Sequence, residues 1–354
     1  MYNFEVKSLF HNYEVKFIDN FPLMLQGIIE EGDFIIIDKR IEELYKGHLL
    51  SVFKNVKYIS LTADEIQKSY QGVIPVIAEL IENGFKKNHR LIAIGGGIIQ
   101  DITAFISSII YRGVDWFFFP TTLLAQCDSC IGSKTSINFS EYKNQLGGFY
   151  PPNKVYIYLP FIDTLSEGAF KSGMGEMLHY FIVSGKADFV FYRENYKEAF
   201  TNKVVLSQLI KRSLEIKKSY IEMDEFDKNI RQVFNYGHSF GHAIESLSNY
   251  KIPHGIAVSY GMDIANYISM KMDFIPSSIR NEIREVVEVF WPDFPINYIN
   301  VDSFINALSK DKKNVGTKLG LILNKGYGDI FKNIIDVDDN FIAWLNEYFN
   351  NELI

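Results

Sequence analysis

Three short, wholly apolar runs in the first half of the chain constrain its fold most: Phe34–Ile37, Leu91–Ile94 and Trp116–Phe119. Runs of this length that are apolar at every position are typical of strands buried on both faces of a parallel sheet. Around them the apolar residues recur at helical spacing, over residues 65–83 and 98–111. Strands that alternate with helices in this way predict a doubly wound, Rossmann-like α/β domain with a parallel sheet.

Beyond about residue 160 the pattern becomes mostly helical, with a hairpin predicted around residues 319–323. A chain of 354 residues is long for one domain and comfortable as two. We therefore expect an α/β domain over residues 1–160, followed by a mostly α-helical domain over residues 161–354. The polar, glycine-rich segment 121–152 is longer than most connections in compact domains, and loops of that length usually carry function.

The composition excludes several classes of function. Apolar residues make up 47% of the chain, but no run approaches the ~18 consecutive apolar residues of a membrane-spanning helix. The formal net charge of −7 disfavours a broad nucleic-acid surface. The first residues show neither the basic nor the apolar segment of a secretion signal. We expect a cytoplasmic protein without membrane or nucleic-acid partners.

Cys127 and Cys130 form a CxxC pattern, which in other settings marks a redox pair or half of a zinc site. The sequence has no second pair of this kind and no thioredoxin-like context. Buried or incidental thiols in a reduced protein are therefore the favoured interpretation.

The histidine pattern indicates a metal. His238 and His242 stand four positions apart, so they share one face if the segment is a helix, and His254 follows after a short break. Two imidazoles with one carboxylate would form a three-ligand site that leaves a position open for substrate. A polar helix face with unrelated histidines is the alternative. Gly237 and Gly241 beside the histidines cost helix stability, which suggests that something approaches the backbone closely.

Other residue types suggest ligands of their own. Gly95-Gly96-Gly97 lies between a predicted strand and a helix, where backbone N–H groups can bind a pyrophosphate, although a tight turn would need the same residues. Asp38 ends a predicted strand and could accept a ribose hydroxyl, or could simply terminate the strand. Glu176 is a carboxylate in an apolar helical stretch and needs a partner, which a metal would supply. Lysines in segment 121–152 suit phosphate as point charges, unless they are solvated.

These motifs together resemble those of the 3-dehydroquinate synthases and, more widely, the sugar-phosphate cyclases, from about Ile36 to about Leu323. The resemblance implies the two-domain fold that this family shares with the iron-type alcohol dehydrogenases, and a homodimer. It is carried, in characteristic order, by Glu65-Ile66-Gln67-Lys68, Gly95-Gly96-Gly97-Ile98-Ile99-Gln100-Asp101, Arg112-Gly113-Val114, Pro120–Gln126, Asp128-Ser129, Gly132–Thr135, Lys143-Asn144, Gly173–Glu176, Asn235–His238, Phe240–Glu245, His254-Gly255 and Asp311-Lys312-Lys313.

The resemblance also implies two cofactors, NAD and one divalent metal, zinc or cobalt. It places the metal on Glu176, His238 and His254. It places NAD on Asp38, Glu65, Lys68, Gly95, Gly96, Gly97, Ile98, Ile99, Gln100, Asp101, Thr121, Thr122, Lys134, Lys143, Ile162 and Leu165. The catalytic candidates are Asp128, Lys134, Asn144 and His242, and the substrate-binding candidates are Arg112, Lys143, His179, Lys217, Arg231, Asn235, Lys312 and Lys313. Arg112 maps onto the arginine that family dimers lend to the neighbouring subunit's phosphate site.

The family chemistry gives these residue types a purpose. NAD transiently oxidises a ring hydroxyl, phosphate is eliminated, the ketone is reduced again, and ring opening with an intramolecular aldol step closes the carbocycle. Arg231 with Lys217 favours a phosphorylated substrate that also carries a carboxylate, unless Arg231 only pairs with an acid such as Asp227. The chain departs from the family pattern in His179, where lysine is usual, and in Gln100, Ser133 and Ile256. The loss of that lysine bears on substrate recognition.

Three other functions stay open on the sequence. A paralogous cyclase would act on another sugar phosphate, for a secondary metabolite or a surface polysaccharide. An iron-type alcohol dehydrogenase would consume NAD stoichiometrically and would have little use for the lysines. A paralog kept only for binding is disfavoured, because all three expected metal ligands are present.

Overall fold

In the computed structural model, the chain divides into two units. The first consists of residues 1–165 and 217–226, and the second of residues 166–216 and 227–354. The structure describes residues 2–54, 56–140, 142–310, 314, 316 and 318–353.

The first unit is built on a seven-stranded sheet within the described residues. The unit contains the strands β1 (Asn3–Val6), β2 (Tyr13–Phe17), β3 (Phe34–Asp38), β4 (Lys57–Leu61), β5 (Leu91–Gly95), β6 (Trp116–Pro120) and β9 (Lys154–Ile157) of this sheet, and the strands β7 (Lys134–Phe139) and β8 (Tyr142–Phe149) outside it. Its helices are α1 (Phe21–Ile28), α2 (Lys39–Phe53), α3 (Tyr70–Glu82) and α4 (Gly97–Ile109). The sheet order is β1-β2-β9-β6-β5-β3-β4, and neighbours are parallel except β1 and β2. This confirms the predicted doubly wound sheet and adds one antiparallel edge strand. A short connection joins β1 to β2, and such connections allow antiparallel pairing.

The apolar runs that predicted the sheet form its centre. Ile35 and Ile37 of β3 share one core cluster with Ile92 and Ile94 of β5 and with Phe21 of α1. The residues between them in the strands are buried as well. Both faces of these strands are therefore covered, which is why their sequences are continuously apolar and do not alternate.

The strand order fixes where this sheet can bind a ligand. The strands β4-β3-β5-β6-β9 follow the 2-1-3-4-5 order of flavodoxin-like sheets, so the chain changes direction between β3 and β5. Open α/β sheets bind ligands at this switch point, beyond the carboxyl ends of the strands. Ile37 pairs with Ile94, so the strand ends at Asp38 and Gly95 lie side by side at the switch point.

Strands β7 and β8, in a segment expected to be part of a long loop, instead pair as an antiparallel hairpin, with one irregularity between Ile137 and Phe139. The expectation of a loop is wrong here because β8, with two glycines and three consecutive polar residues, lacks the apolar pattern of a strand. Its strand conformation comes from pairing with β7 and not from an apolar pattern. Residues Ala125–Ser129, before the hairpin, form a π-helical turn.

The second unit is mostly helical, as predicted. Its elements are α5 (Glu167–Ser184), α6 (Lys186–Asn195), α7 (Lys203–Met223), α8 (His238–Leu247), α9 (His254–Lys271), α10 (Ser277–Val287), α11 (Val301–Ser309), the hairpin β10 (Leu319–Asn324) and β11 (Ile330–Ile335), and α12 (Asp339–Glu347). The predicted hairpin is confirmed. None of the helices in the described part of the chain is long and apolar enough to cross a membrane.

The end of α7 belongs to the first unit. The backbone N–H of Lys7 donates to Glu222 at 2.9 Å, and the hydroxyl of Ser8 donates to Glu225 at 2.7 Å. These bonds tie residues 217–226 to the connection between β1 and β2. Nothing in the sequence of this segment pointed to its return to the sheet.

Candidate active site

Two helices of the second unit touch through glycines. A Cβ atom on Gly255, in the first turn of α9, would lie 1.8 Å from the backbone oxygen of Ser172 in α5. A Cβ atom on Gly175 of α5 would lie 2.4 Å from the backbone oxygen of Gly255. Real side chains do not occur at such distances, so the two backbones are in direct contact. This contact sets Glu176 of α5 beside His254 of α9.

A third helix, α8, begins at the same place. Gly237 precedes α8 with a φ of +81°, a left-handed conformation that glycine adopts without strain. A Cβ atom there would lie 2.7 Å from the backbone oxygen of Val258 in α9. The sequence indicated that something approaches the backbone near the histidines, and helix α9 does so. His238, the first residue of α8, is thereby brought toward Glu176 and His254.

Glu176, His238 and His254 converge. Nε2 of His238 lies 3.4 Å from Oε1 of Glu176, and Nε2 of His254 lies 3.4 Å from Oε2 of the same carboxylate. One ligand atom from each of the three residues lies within 4.8 Å of the others. One carboxylate and two imidazoles are donors that zinc and cobalt accept.

Each histidine of this group has its second ring nitrogen oriented by a partner. Nδ1 of His254 lies 3.0 Å from Oε2 of Glu245, and Nδ1 of His238 lies 3.2 Å from the backbone oxygen of Tyr236. A histidine that binds a metal usually donates its other N–H in this way, which fixes the ring and its tautomer. The role of Glu245 was not predicted from the sequence. Its position seven residues after His238, on the same face of α8, was the available signal.

The carboxylate of Glu176 is suited to a cation. The residue is 2% exposed, and its Oε2 accepts no hydrogen bond from any described residue. Burial raises the pKa of Glu176, but the charged forms of His238 and His254 lower it more, and the net shift is downward. A buried, ionised carboxylate with an unused oxygen needs a positive partner. The three residues therefore fit a divalent metal.

His242 and His179 lie beside this group in different surroundings. His242 is exposed, and its ring centre lies 5.6 Å from that of His238 and 5.7 Å from that of His254. His179 is 1% exposed, and its Nδ1 lies 2.5 Å from the backbone oxygen of Glu176. His179 lies in α5 itself, three residues after Glu176, and its ring contacts the backbone of that residue. Its contact with substrate stays a prediction.

In the first unit, Asp38 caps the helix that follows its strand. Its Oδ1 accepts a hydrogen bond from the backbone N–H of Arg40 at 2.9 Å. Burial raises the pKa of Asp38, although the N–H and the charge of Arg40 lower it in part. The guanidinium of Arg40 donates to the backbone oxygen of Thr164 at 2.7 Å. The strip that contains Ile162 and Leu165 is thus tied to the start of α2, beside Asp38.

The three glycines after β5 differ in what they face. A Cβ atom on Gly95 would lie 2.5 Å from Ile99, and one on Gly96 would lie 2.8 Å from Thr122, so these two glycines allow close packing. A Cβ atom on Gly97, in contrast, would lie 4.0 Å from the hydroxyl of Ser129 and would meet no closer contact from any described residue. No described side chain caps the first turn of α4. An open, uncapped helix N-terminus at the switch point suits a phosphate group.

A polar network links the connection after β4, helix α4 and the β7–β8 hairpin. Nζ of Lys68 lies 2.6 Å from the carboxylate of Asp101 and donates to Asn144 at 2.9 Å. The carboxylate of Glu65 accepts from Lys143 at 2.8 Å. Five predicted residues are therefore brought together at this edge of the sheet.

Asp128 and Ser129, in the π-helical turn, are held from two sides. The side-chain amide of Gln100 donates to the backbone oxygen of Ser129, and the hydroxyl of Ser129 donates back to Gln100, each at 2.5 Å. On the other side, Lys217 donates to Asp128. Gln100, a departure from the family pattern, thus holds the turn.

Of the other predicted residues of the first unit, one lies beside the glycine turn and two are exposed. The N–H of Thr121 donates to the backbone oxygen of Gly95 at 2.9 Å, which places Thr121 next to the glycine turn. Lys134 is exposed at the start of β7. Arg112 is exposed, with a φ of +64° directly after Tyr111 at +51°.

In the second unit, Arg231 and Asn235 share the 3-10 turn Ile230–Asn235. Arg231 is 5% exposed, and the side-chain amide of Asn235 donates to the backbone oxygen of Gln232 at 3.1 Å. Lys312 and Lys313 lie outside the described residues.

Cys127 and Cys130 are fully buried thiols, as expected. Burial raises the pKa of Cys130 to about 12. A thiol with so high a pKa is neither a nucleophile nor a metal ligand at neutral pH.

Two family models match the chain in succession. The model described as 3-dehydroquinate synthase N-terminal matches residues 58–172, and the one described as 3-dehydroquinate synthase C-terminal matches residues 173–314. The 3-dehydroquinate synthase of Dictyoglomus thermophilum is 36% identical to this chain over 309 residues, which cover 86% of each chain.

Solved structures share the fold. A 2-deoxy-scyllo-inosose synthase, complexed with carbaglucose-6-phosphate, NAD+ and Co2+, matches 100% of both chains with a TM-score of 0.84 at 20% identity. An iron-containing alcohol dehydrogenase matches 85% of this chain and 91% of its own with a TM-score of 0.60 at 12% identity. The fold is thus common to both enzyme classes. The two successive family matches and the much higher identity to the Dictyoglomus enzyme decide between them, and the chain belongs to the 3-dehydroquinate synthase family.

Proposed function

We propose that this protein forms 3-dehydroquinate from the seven-carbon phosphorylated keto-sugar acid of the shikimate pathway, with NAD and a divalent metal as cofactors. The reaction eliminates phosphate and is that of a carbon–oxygen lyase. The observation that carries the proposal is the convergence of Glu176, His238 and His254 in a chain of this family.

Zinc or cobalt would be held by these three residues. A bound ion would polarise the substrate hydroxyl that is oxidised. Glu245 and the backbone oxygen of Tyr236 keep Nε2 of His254 and His238 directed at Glu176. His242 is exposed beside the two histidines, and we assign it the exchange of a proton with the substrate or with water.

NAD would lie at the carboxyl edge of the sheet of the first unit. A bound NAD would take up a hydride and return it within one cycle. The open N-terminus of α4 at Gly97 would bind its pyrophosphate, and Asp38, at the adjacent strand end, would bind a ribose hydroxyl. The network of Glu65, Lys68 and Asp101 supports this edge.

Each unit offers cations and amides that suit groups of the substrate. In the first unit, Lys134 and Lys143 suit phosphate. Asn144 lies in the same hairpin, and Asp128 lies in the π-helical turn before it. In the second unit, the guanidinium of Arg231 suits a carboxylate. We also propose a homodimer, in which the exposed Arg112 reaches the phosphate bound by the partner subunit.

The decisive experiment measures phosphate release from the phosphorylated keto-sugar acid, with the carbocyclic product identified by mass spectrometry. We expect phosphate release without accumulation of NADH absorbance. Steady NADH production from a simple alcohol, without phosphate release, would instead support a dehydrogenase. Turnover of a sugar phosphate without a carboxylate, and not of the acid, would support a paralogous cyclase.

A further inference from the structure

The backbone oxygen that orients His238 belongs to a tyrosine with a buried hydroxyl. Tyr236 is 0% exposed, and its carbonyl lies 3.2 Å from Nδ1 of His238. Tyr236 directly follows the 3-10 turn, and Gly237 separates it from α8. The position of the Tyr236 peptide therefore decides how the imidazole of His238 presents Nε2 to Glu176.

A polar network anchors this tyrosine inside the second unit. The hydroxyl of Tyr236 donates to Oδ1 of Asn266 in α9 at 2.5 Å. The side-chain amide of Asn324, at the end of β10, donates to the same oxygen at 2.9 Å. The backbone N–H of Asn324 donates to Ser269 of α9 at 3.0 Å. Tyr236, Asn266 and Asn324 are all fully buried, so water does not compete for these bonds.

The donors and acceptors of the network admit one arrangement. The backbone N–H of Gly326 donates to Oδ1 of Asn324, so the amide nitrogen of Asn324 must face Asn266. Asn266 therefore presents its oxygen to Asn324, and the hydroxyl of Tyr236 acts as the donor to that oxygen. Burial raises the pKa of Tyr236, which keeps this hydroxyl protonated.

We propose that Tyr236 is a positioning residue for the metal site. Its hydroxyl, held by Asn266 and Asn324, fixes the peptide whose carbonyl orients His238. The inference rests on the proposed metal site of Glu176, His238 and His254. It adds to that site two supporting residues, Asn266 of α9 and Asn324 of β10, which act through Tyr236 and do not bind the metal themselves.

The test compares Tyr236→Phe with the wild type in metal affinity, measured on the metal-free protein by zinc titration in competition with a chromophoric chelator. Loss of a partner that orients a metal ligand typically lowers affinity ~10–100-fold, and we expect about tenfold for this more remote group. The cobalt-loaded variant should also show an altered visible absorption spectrum, since the ligand field reports the orientation of the ring of His238.

The matched control is Tyr348→Phe. Tyr348 is also fully buried, and its hydroxyl donates to Asp263 of the same helix, α9, at 2.8 Å. We expect wild-type zinc affinity and an unchanged cobalt spectrum for this variant, although its stability falls. Equal loss of affinity in both variants would overturn the positioning role, because it would reflect general loosening.

A third variant, His238→Ala, separates the inference from the metal site on which it rests. If His238→Ala loses zinc while Tyr236→Phe binds it as the wild type does, the positioning role is overturned and the metal site stands. If His238→Ala binds zinc at wild-type affinity, the metal site itself is overturned, and the positioning role with it.

Discussion

Lys217 donates hydrogen bonds to both the carboxylate and the backbone oxygen of Asp128, at 2.7 Å each. Lys217 lies in the last part of α7, which belongs to the first unit, whereas Arg231 belongs to the second. The sequence predicted Lys217 as a substrate ligand that acts together with Arg231. In the structure its ammonium group fixes a predicted catalytic residue, and its contact with substrate stays a prediction.

The first prediction concerns this pair. The side chains of Lys217 and Asp128 are 8% and 17% exposed, so solvent screens their interaction weakly. Lys217→Met leaves the carboxylate of Asp128 without this partner, and we expect the free energy of unfolding to fall by ~2–4 kcal/mol. Urea unfolding of purified wild type and variant, followed by circular dichroism, measures the change.

The control for this prediction is a double-mutant cycle with Asp128→Asn. The Asp128→Asn substitution keeps the backbone oxygen of this residue but removes the buried charge of its side chain. The double variant should therefore be more stable than the sum of the two single losses predicts. Strict additivity would show that the two charges do not interact across this contact.

The second prediction concerns the metal. We expect one divalent ion per chain in the wild type, and loss of activity on chelation that zinc or cobalt restores. His254→Ala should lower metal affinity by about a hundredfold or more. Elemental analysis after gel filtration measures the metal content. His48→Ala, at an exposed position of α2, is the control and should keep its full metal content.

Metal affinity should also depend on pH. Protons compete with the metal for the imidazole nitrogens of His238 and His254, so affinity should fall as the pH is lowered. The downward pKa shift of Glu176 means that its carboxylate stays ionised over this range. A metal affinity that does not change from neutral to mildly acidic pH would contradict an imidazole-based site.

The sheet could be predicted from sequence because its central strands are buried on both faces. The apolar runs at Phe34, Leu91 and Trp116 each became a strand of the sheet. Strand β1 has only one buried residue, Val6, and hairpin strand β8 has none, so neither has a pattern that separates it from a loop. Their conformation depends on pairing with a partner strand, which local sequence does not reveal.

The metal site could be predicted only in part, because local spacing is visible in the sequence and long-range contacts are not. The spacing of His238 and His242 marks a helix face, but the nearness of His254 and Glu176 depends on glycine contacts between α5 and α9. Such contacts join residues far apart in sequence. Gln100 shows the same limit. Its departure from the family pattern was visible in the sequence, but its contact with Ser129 is known only from the fold.

The third prediction concerns the thiols. Cys130 is fully buried, and burial raises its pKa to about 12. Compared with an ordinary thiol, its thiolate fraction at pH 8 is lower by roughly a thousandfold. Reaction with a thiol-specific chromogenic disulfide should therefore detect neither Cys130 nor the equally buried Cys127 in the native protein, and both in denaturant. Rapid labelling of Cys130 in the native state would contradict this assignment.

The last prediction concerns the carboxylate of the substrate, for which Arg231 is the candidate partner. Arg231 is 5% exposed, and the planar guanidinium fork of arginine suits bidentate binding of a carboxylate. Arg231→Ala should lower kcat/KM by ~2–4 kcal/mol, and Arg231→Lys should recover only part, because lysine keeps the charge but loses the fork. Asp227→Asn tests the alternative that Arg231 only forms an ion pair, and it should leave kcat/KM within about twofold of the wild type.

These effects are measured by steady-state kinetics with two substrates, the phosphorylated keto-sugar acid and a heptulose phosphate that lacks the carboxylate. Equal turnover of the second compound by wild type and Arg231→Ala, at the rate of the acid, would move the function to the paralogous cyclases.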